Sequence, residues 1–386
     1  MADGGDAYTA RTVGSIADIG RARWDSLANP NPAEFNPFTS YDFLSALEES
    51  GSVGGGSGWT ARHLVLEAAG SAAGVVPLYL KTHSQGEYVF DHHWADAYGR
   101  AGGRYYPKLL AGIPFTPVQG PRLLARDAAA RAALSRALES IAAQSGVSSL
   151  HVNFLPAEEV EALSAAGFMP RIGVQYHWFN RGYRDFDGFL SALTSRKRKA
   201  IKRERREVAA SGLHIRTMTG AEIDERSWEA MWAFYQDTGA RKWGRPYLTR
   251  AFFTLIGERM ADKVLLILAK RNGRPVAGAL NFIGGEALYG RYWGCLEAHD
   301  FLHFELCYHR AIDYAIAHRL SRVEAGAQGE HKIARGYEPV ETRSAHWIAD
   351  PGFRSAIAAY LERERAGAAE DIEALASMSP FKEETD

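Results

Sequence analysis

The fold is decided by residues 264–292, Val-Leu-Leu-Ile-Leu-Ala-Lys-Arg-Asn-Gly-Arg-Pro-Val-Ala-Gly-Ala-Leu-Asn-Phe-Ile-Gly-Gly-Glu-Ala-Leu-Tyr-Gly-Arg-Tyr. Three apolar runs stand here, Val264–Ala269, Pro275–Ile283 and Glu286–Tyr292. Asn272-Gly273 and Gly284-Gly285 separate them, and both pairs supply the positive-φ residues of tight hairpin turns. The stretch therefore reads as an antiparallel meander. Downstream, Phe304–His318 carries a helical pattern, Arg322–Ala325 and Arg343–Ile348 read as strands, and Phe353–Leu375 as a charged helix. Upstream stand helices at Phe189–Ala209, Glu222–Asp237 and Arg250–Met260, with a strand at His214–Thr217.

The first half repeats that order. A strand at Tyr8–Val13 precedes helices at Ile16–Leu27 and Tyr41–Glu49, the latter capped by Thr39 or Ser40. Strands follow at His63–Ala68, Val75–Lys81 and Tyr88–Phe90. Leu109–Ala111 leads into Phe115-Thr-Pro as a strand end. A helix at Asp127–Ala143, a strand at Ser149–Phe154, a helix at Ala157–Ala166 and a strand at Tyr176–Phe179 complete the half. The expectation is an α/β fold of two domains with mixed sheets, residues 1–182 and 183–386, joined near Arg181–Asp187. A chain of 386 residues suits two domains better than one.

The formal net charge is −1, so electrostatic targeting must come from a local patch. No window approaches the roughly 18 consecutive apolar residues of a membrane span. The opening Met-Ala-Asp-Gly-Gly-Asp-Ala-Tyr has no apolar core, so a cytoplasmic location is expected. The two cysteines, Cys295 and Cys307, lack metal-ligand spacing and read as reduced, buried thiols. Asp91-His-His-Trp-Ala-Asp, read as a strand, sends its histidines to opposite faces and gives no metal site.

Four groups carry chemistry. In Arg196-Lys-Arg-Lys-Ala-Ile-Lys-Arg-Glu-Arg-Arg206, eight of eleven residues are basic on one helix. Ala200 and Ile201 are left to pack. Such density repels itself unless anions bind, so Arg196, Lys197, Arg198, Lys199, Lys202 and Arg203 are expected to contact phosphate. The bland alternative is a solvated face paired with acids of the final helix. The second group is Glu330-His331-Lys332 with Arg335, flanked by Gly326, Gly329 and Gly336. Glu330 or His331 would act as a base, and Lys332 and Arg335 would hold an anion or a tetrahedral oxyanion. The third joins Arg291-Tyr292-Trp-Gly to His303-Phe-Glu305-Leu-Cys-Tyr308, with Glu305 and Tyr308 on one helix face at i and i+3. The fourth, Tyr105-Tyr106-Pro-Lys108, would line an acceptor groove between the domains.

These strings resemble the Fem-like branch of the acetyltransferase (GNAT) superfamily. The resemblance rests on Asn36-Pro-Phe-Thr-Ser-Tyr-Asp-Phe-Leu, the basic helix, Gly244-Arg-Pro-Tyr-Leu and Arg291-Tyr-Trp-Gly. It rests also on His303-Phe-Glu-Leu-Cys-Tyr and, most specifically, on Glu324-Ala-Gly-Ala-Gln-Gly-Glu-His-Lys-Ile-Ala-Arg-Gly-Tyr-Glu-Pro. It implies tandem acetyltransferase-like domains that transfer an acyl group to an amine. Family relatives use aminoacyl-tRNA as donor and an amine of a peptidoglycan precursor as acceptor. The pyrophosphate loop typical of acetyl-CoA enzymes is missing, and Glu297 and Asp300 stand near its expected place. Aminoacyl-tRNA is therefore favoured over acyl-CoA as co-substrate, with no tightly bound cofactor and no metal. Two other readings stand beside this one: an acetyl-CoA-dependent N-acetyltransferase of a small amine, and a non-catalytic RNA- or nucleotide-binding protein.

Overall fold

The computed structural model describes residues 8–243, 246–326 and 329–382. Gly244 and Arg245 of one family string, and Ala327 and Gln328 of another, lie outside the described residues. The chain forms two compact units, and they interleave in sequence instead of meeting at one cut near Arg181–Asp187. The first comprises Met1–Pro30, Phe38–Gly173 and Glu341–Glu370; the second comprises Asn31–Pro37, Val174–Val340 and Asp371–Asp386.

In the first unit Thr9–Val13, His63–Ala68, Ser71–Val76 and Leu124–Ala125 form a four-stranded antiparallel sheet. The expected single strand Val75–Lys81 is two, Ser71–Val76 and Leu78–Lys81. Pro77 has no N–H to give a ladder, and the chain changes sheet there. Leu78–Lys81 pairs with Trp59–Ala61 and Lys108–Ala111. Lys108–Ala111 then runs parallel to Ser149–Asn153, which pairs with Ser344–Ile348. The helix Ala128–Gln144, capped by the Asp127 side chain, covers a core of Leu64, Leu66, Leu109, Leu134, Leu138, Leu150 and Trp347. Tyr88–Phe90 is not a strand, and His92–Arg100 is a helix.

In the second unit the meander forms as read. Strands His214–Thr219, Val264–Arg271, Arg274–Ile283 and Ala287–Cys295 pair antiparallel in sequence order. Asn272 and Gly273 turn with φ of 51° and 79°. At the second turn, a Cβ on Gly285 would lie 2.1 Å from the Ala33 carbonyl oxygen, so only glycine fits. Ala287–Tyr289 then pairs parallel with Arg322–Glu324, whose other neighbour is His177–Phe179. Each unit thus contains one parallel pair in otherwise antiparallel surroundings. The expected helix Phe189–Ala209 is two, Phe186–Ala192 and Ser195–Ala210, because Leu193 is extended at ψ 154° and bridges to Phe381. Trp178, Phe189, Ile201, Leu265, Leu288, Leu306, Ile312, Val323 and Tyr337 share the core of this unit. Among the described residues no helix is long and apolar enough to cross a membrane.

Candidate active site

The second unit's parallel pair creates a gap. Arg322–Glu324 runs beside Ala287–Tyr289 for three residues. The longer strand continues to Cys295, while its neighbour turns away at Ala325 and Gly326, the latter at φ 80°. A β-bulge lies beside it: Leu280 faces Tyr292, but Asn281 faces Gly290, so Arg291 is the extra residue on its strand. The resulting cavity has a volume of about 510 Å³. Asn281, Gly290, Arg291, Tyr292 and Trp293 line one side, and His303, Cys307, Tyr308, His331 and Lys332 the other.

The helical wall contains a π-turn at Glu305–His309, between Leu302–Phe304 and Arg310–Ala317. Such wide turns occur mostly as single bulges and often at functional sites. Here the turn puts His303, Cys307 and Tyr308 together on the cavity. It also separates Glu305 from Tyr308, which the i, i+3 rule had placed on one face. Glu305 faces away, 3.2 Å from Arg205 and 2.8 Å from Arg310.

Residues Glu330–Arg335 form a 3-10 turn between Gly329 and Gly336, at φ 114° and 87°. Lys332 points inward. It is 2% exposed, and its Nζ donates to the Gly326 carbonyl at 3.0 Å. Burial, with the nearby Arg291 charge, lowers its pKa to about 7. His331 is exposed, and its Nε2 meets the Tyr308 hydroxyl at 2.9 Å. Partial burial and then the Arg335 and Lys332 charges lower the His331 pKa. Burial raises the Tyr308 phenol. The Arg291 side chain is 2% exposed and lies 4.0 Å from Glu324. Its Nη1 donates to the Gly290 carbonyl at 2.8 Å. Tyr292 packs edge-on against Tyr235 at 5.3 Å.

The structure thus brings Arg291, Tyr292, Tyr308, His331 and Lys332 to one cavity. Glu305, Glu330 and Arg335 are not among its lining residues. Glu330 is exposed, and Arg335 bonds Glu204 at 2.6 Å. Tyr105, Tyr106 and Lys108 belong to the other unit. There buried Lys108 sits 2.7 Å from Glu87 and 2.5 Å from Asp91, and the Tyr105 hydroxyl donates to Asp91 at 2.7 Å. Among the polar and aromatic cavity residues, Asn281, Trp293, His303 and Cys307 were not named as site candidates, although the last three stand inside the strings of the third group. Asn281 had a signal, as a lone amide in an apolar strand. Cys307 was read as core, and the π-turn exposes it to the cavity. Among the described residues, no three His, Cys, Asp or Glu are grouped to hold a metal. The Asp91-His-His segment is a helix start, so the strand argument about its histidines does not apply.

On the basic helix, Ile201, Glu204 and Val208 face inward, whereas Ala200 is exposed. Lys202 pairs with Asp187 at 3.0 Å, Arg203 with Glu207 at 3.2 Å, and Arg205 with Asp313 at 2.7 Å. Among the described residues Arg196, Lys197, Arg198 and Lys199 form no ion pair.

The family model FemAB-like, described as peptidoglycan biosynthesis/recognition, matches residues 15–383. No curated protein sequence matches the chain. FemX is similar in structure, with 14% identity, 87% of this chain and 98% of that one covered, and a TM-score of 0.56. L-PGS from Bacillus licheniformis shows 10% identity, coverage of 86% and 98%, and a TM-score of 0.51. A tandem GNAT protein from the clavulanic acid biosynthesis pathway shows 13% identity, coverage of 89% and 99%, and a TM-score of 0.47. At such identities the likeness to FemX and L-PGS is one of fold.

Proposed function

The chain belongs to the FemAB-like family, and on that footing we propose that it is an N-acyltransferase whose chemistry occurs in the cavity of the second unit. The observation that carries this reading is the buried Lys332 amine, with its pKa lowered to about 7, in one cavity with Tyr308 and His331. Acylation of an amine needs a base for the ammonium proton and donors for the tetrahedral oxyanion. Near neutral pH a large fraction of Lys332 is unprotonated, so it can take the proton. The Tyr308 hydroxyl, which lines the same cavity, is suited to the oxyanion. The acceptor nitrogen attacks the acyl carbon, the bond to the donor oxygen or sulfur breaks, and the leaving group departs with a proton. No covalent enzyme intermediate is required when the amine is held against the activated acyl group.

For the donor we favour aminoacyl-tRNA. The support is the row of cations Arg196, Lys197, Arg198 and Lys199, which no acid of the described chain neutralises, together with the resemblance to Fem-type strings set out above. The acceptor class is an amine of a peptidoglycan precursor. The test is a titration of purified protein with charged tRNA, uncharged tRNA and acetyl-CoA at two salt concentrations. Salt-sensitive preference for charged tRNA is expected. Saturable acetyl-CoA binding without tRNA binding would replace this donor by acyl-CoA.

A further inference from the structure

Glu204 is the one acid in the run Arg196–Arg206, and it is 8% exposed on the inward face of its helix. Both carboxylate oxygens are engaged. Oε2 meets His309 Nε2 at 3.1 Å, and Oε1 accepts from Arg335 Nη2 at 2.6 Å. The other terminal nitrogen of Arg335 donates to the His331 carbonyl at 2.8 Å, and the guanidinium lies 3.3 Å from the Phe304 ring centroid. His309 closes the π-turn that presents Cys307 and Tyr308. Arg335 closes the 3-10 turn that presents His331 and Lys332. One carboxylate behind the cavity is therefore bonded to both turns that form its wall.

We infer that Glu204 is a positioning residue for this cavity: through His309 and Arg335 it fixes the turn carrying Lys332 against the turn carrying Cys307 and Tyr308. Glu204 is not among the cavity's lining residues, so it acts through its two partners. Burial pushes its carboxyl up, but the His309 bond and the Arg335 charge outweigh this and keep it ionised, its pKa below the usual range. Buried charge pairs add little net stability compared with well-packed apolar residues. Their distinctive property is direction: two charge-assisted bonds of set length from one atom group. Active-site geometry held by such supporting contacts loosens when they are removed.

The functional meaning rests on the acyl-transfer reading, but the geometry can be tested without a substrate. The chain has two cysteines; Cys307 lines the cavity and Cys295 does not. Iodoacetamide alkylation of both, followed by peptide mass spectrometry well below the unfolding temperature, gives a ratio in which Cys295 is the internal reference. In Glu204→Gln the Cys307 rate rises relative to Cys295 by about threefold or more as the wall opens locally. Glu204→Asp, which restores the charge, lies between Gln and wild type. Arg335→Gln reproduces the shift, and the double variant adds little, as expected of one linked contact. An unchanged ratio in both Glu204→Gln and Glu204→Ala would overturn the inference, as would a parallel rise of both cysteines. If the ratio shifts while Lys332→Ala transfers acyl groups at the wild-type rate, positioning by Glu204 stands and the assignment of Lys332 as base falls; if the ratio shifts and no donor gives transfer, positioning stands and the acyl-transfer reading falls.

Discussion

In the proposed acyl transfer Lys332 is the base, and its environment gives that role a testable signature. A lysine with pKa near 7 acting as base makes transfer rise with pH through that value and level above it. Lys332→Arg keeps a cation that cannot deprotonate, and Lys332→Ala removes the group. Both are expected to lower turnover by about 100-fold or more, with the rise near pH 7 gone. Initial rates between pH 5.5 and 9 measure this; a retained rise in either variant would assign the titration elsewhere. The same shift has a stability consequence. The folded pKa lies below the ordinary 10.5, so the folded chain binds this proton less readily than the unfolded chain. The contribution to stability is fully present above about pH 10.5 and is lost progressively as pH falls through about 7. Lys332→Met removes that loss, so the variant gains relative to wild type as pH falls toward neutrality while losing activity. Urea unfolding at pH 7 and pH 10 compares the two. The sequence pointed to Lys332 through charge among glycines, since Gly329 and Gly336 adopt positive φ around the turn. It could not show that Glu330 and His331 face solvent while Lys332 is buried, because a 3-10 turn of six residues carries no periodicity long enough to read.

Elements were legible where local chemistry dictates them. Asn272-Gly273 and Gly284-Gly285 set the hairpins, and Ser40, Asp127 and Thr249 cap the helices that follow them. The π-turn at Glu305–His309 was not legible. One extra residue in a turn leaves composition unchanged, yet it decides that Tyr308 and Cys307 reach the cavity and Glu305 does not. The split at Leu193 was hidden too, because its cause is a tertiary bridge to Phe381. The basic helix divides along its length: Lys202, Arg203 and Arg205 meet acids, and its first turn holds four cations without them among the described residues. Replacing Arg196, Lys197, Arg198 and Lys199 by alanine is expected to weaken tRNA binding and flatten its salt dependence. The slope of log K against log salt becomes shallower by about 0.7–0.9 for each phosphate that the helix no longer neutralises. Filter binding at several salt concentrations reads it. An unchanged slope would remove the helix from the donor site while leaving the cavity's assignment intact.

At the scale of the whole chain, the tandem architecture was readable because both halves repeat one order of elements. The interleaving was not: Glu341–Glu370 groups with the first unit, and pairing between strands distant in sequence leaves no local mark. The units also differ in how they use buried charge. The second unit buries Lys332 with a carbonyl partner beside a cavity. The first unit buries Lys108 at full complement, with Glu87, Asp91 and Ser84 within 2.5–2.8 Å and no cavity residue among them. Burial pushes the Asp91 carboxyl up, but the Lys108 charge overrides it and holds Asp91 well below the usual range. Lys108→Met therefore leaves Asp91 and Glu87 as buried acids without their main cation. Breaking such a pair from one side costs about 3–5 kcal/mol. For Asp91, whose folded pKa is depressed in the wild type, the stabilisation exists above its ordinary pKa of 3.8 and disappears as pH falls below it. The variant should thus be much less stable than wild type at pH 7, with the gap narrowing toward acid. Chemical denaturation at pH 7 and pH 2.5 measures both. A variant as stable as wild type at pH 7 would mean that water reaches this cluster and that the first unit's core is held by its apolar contacts alone.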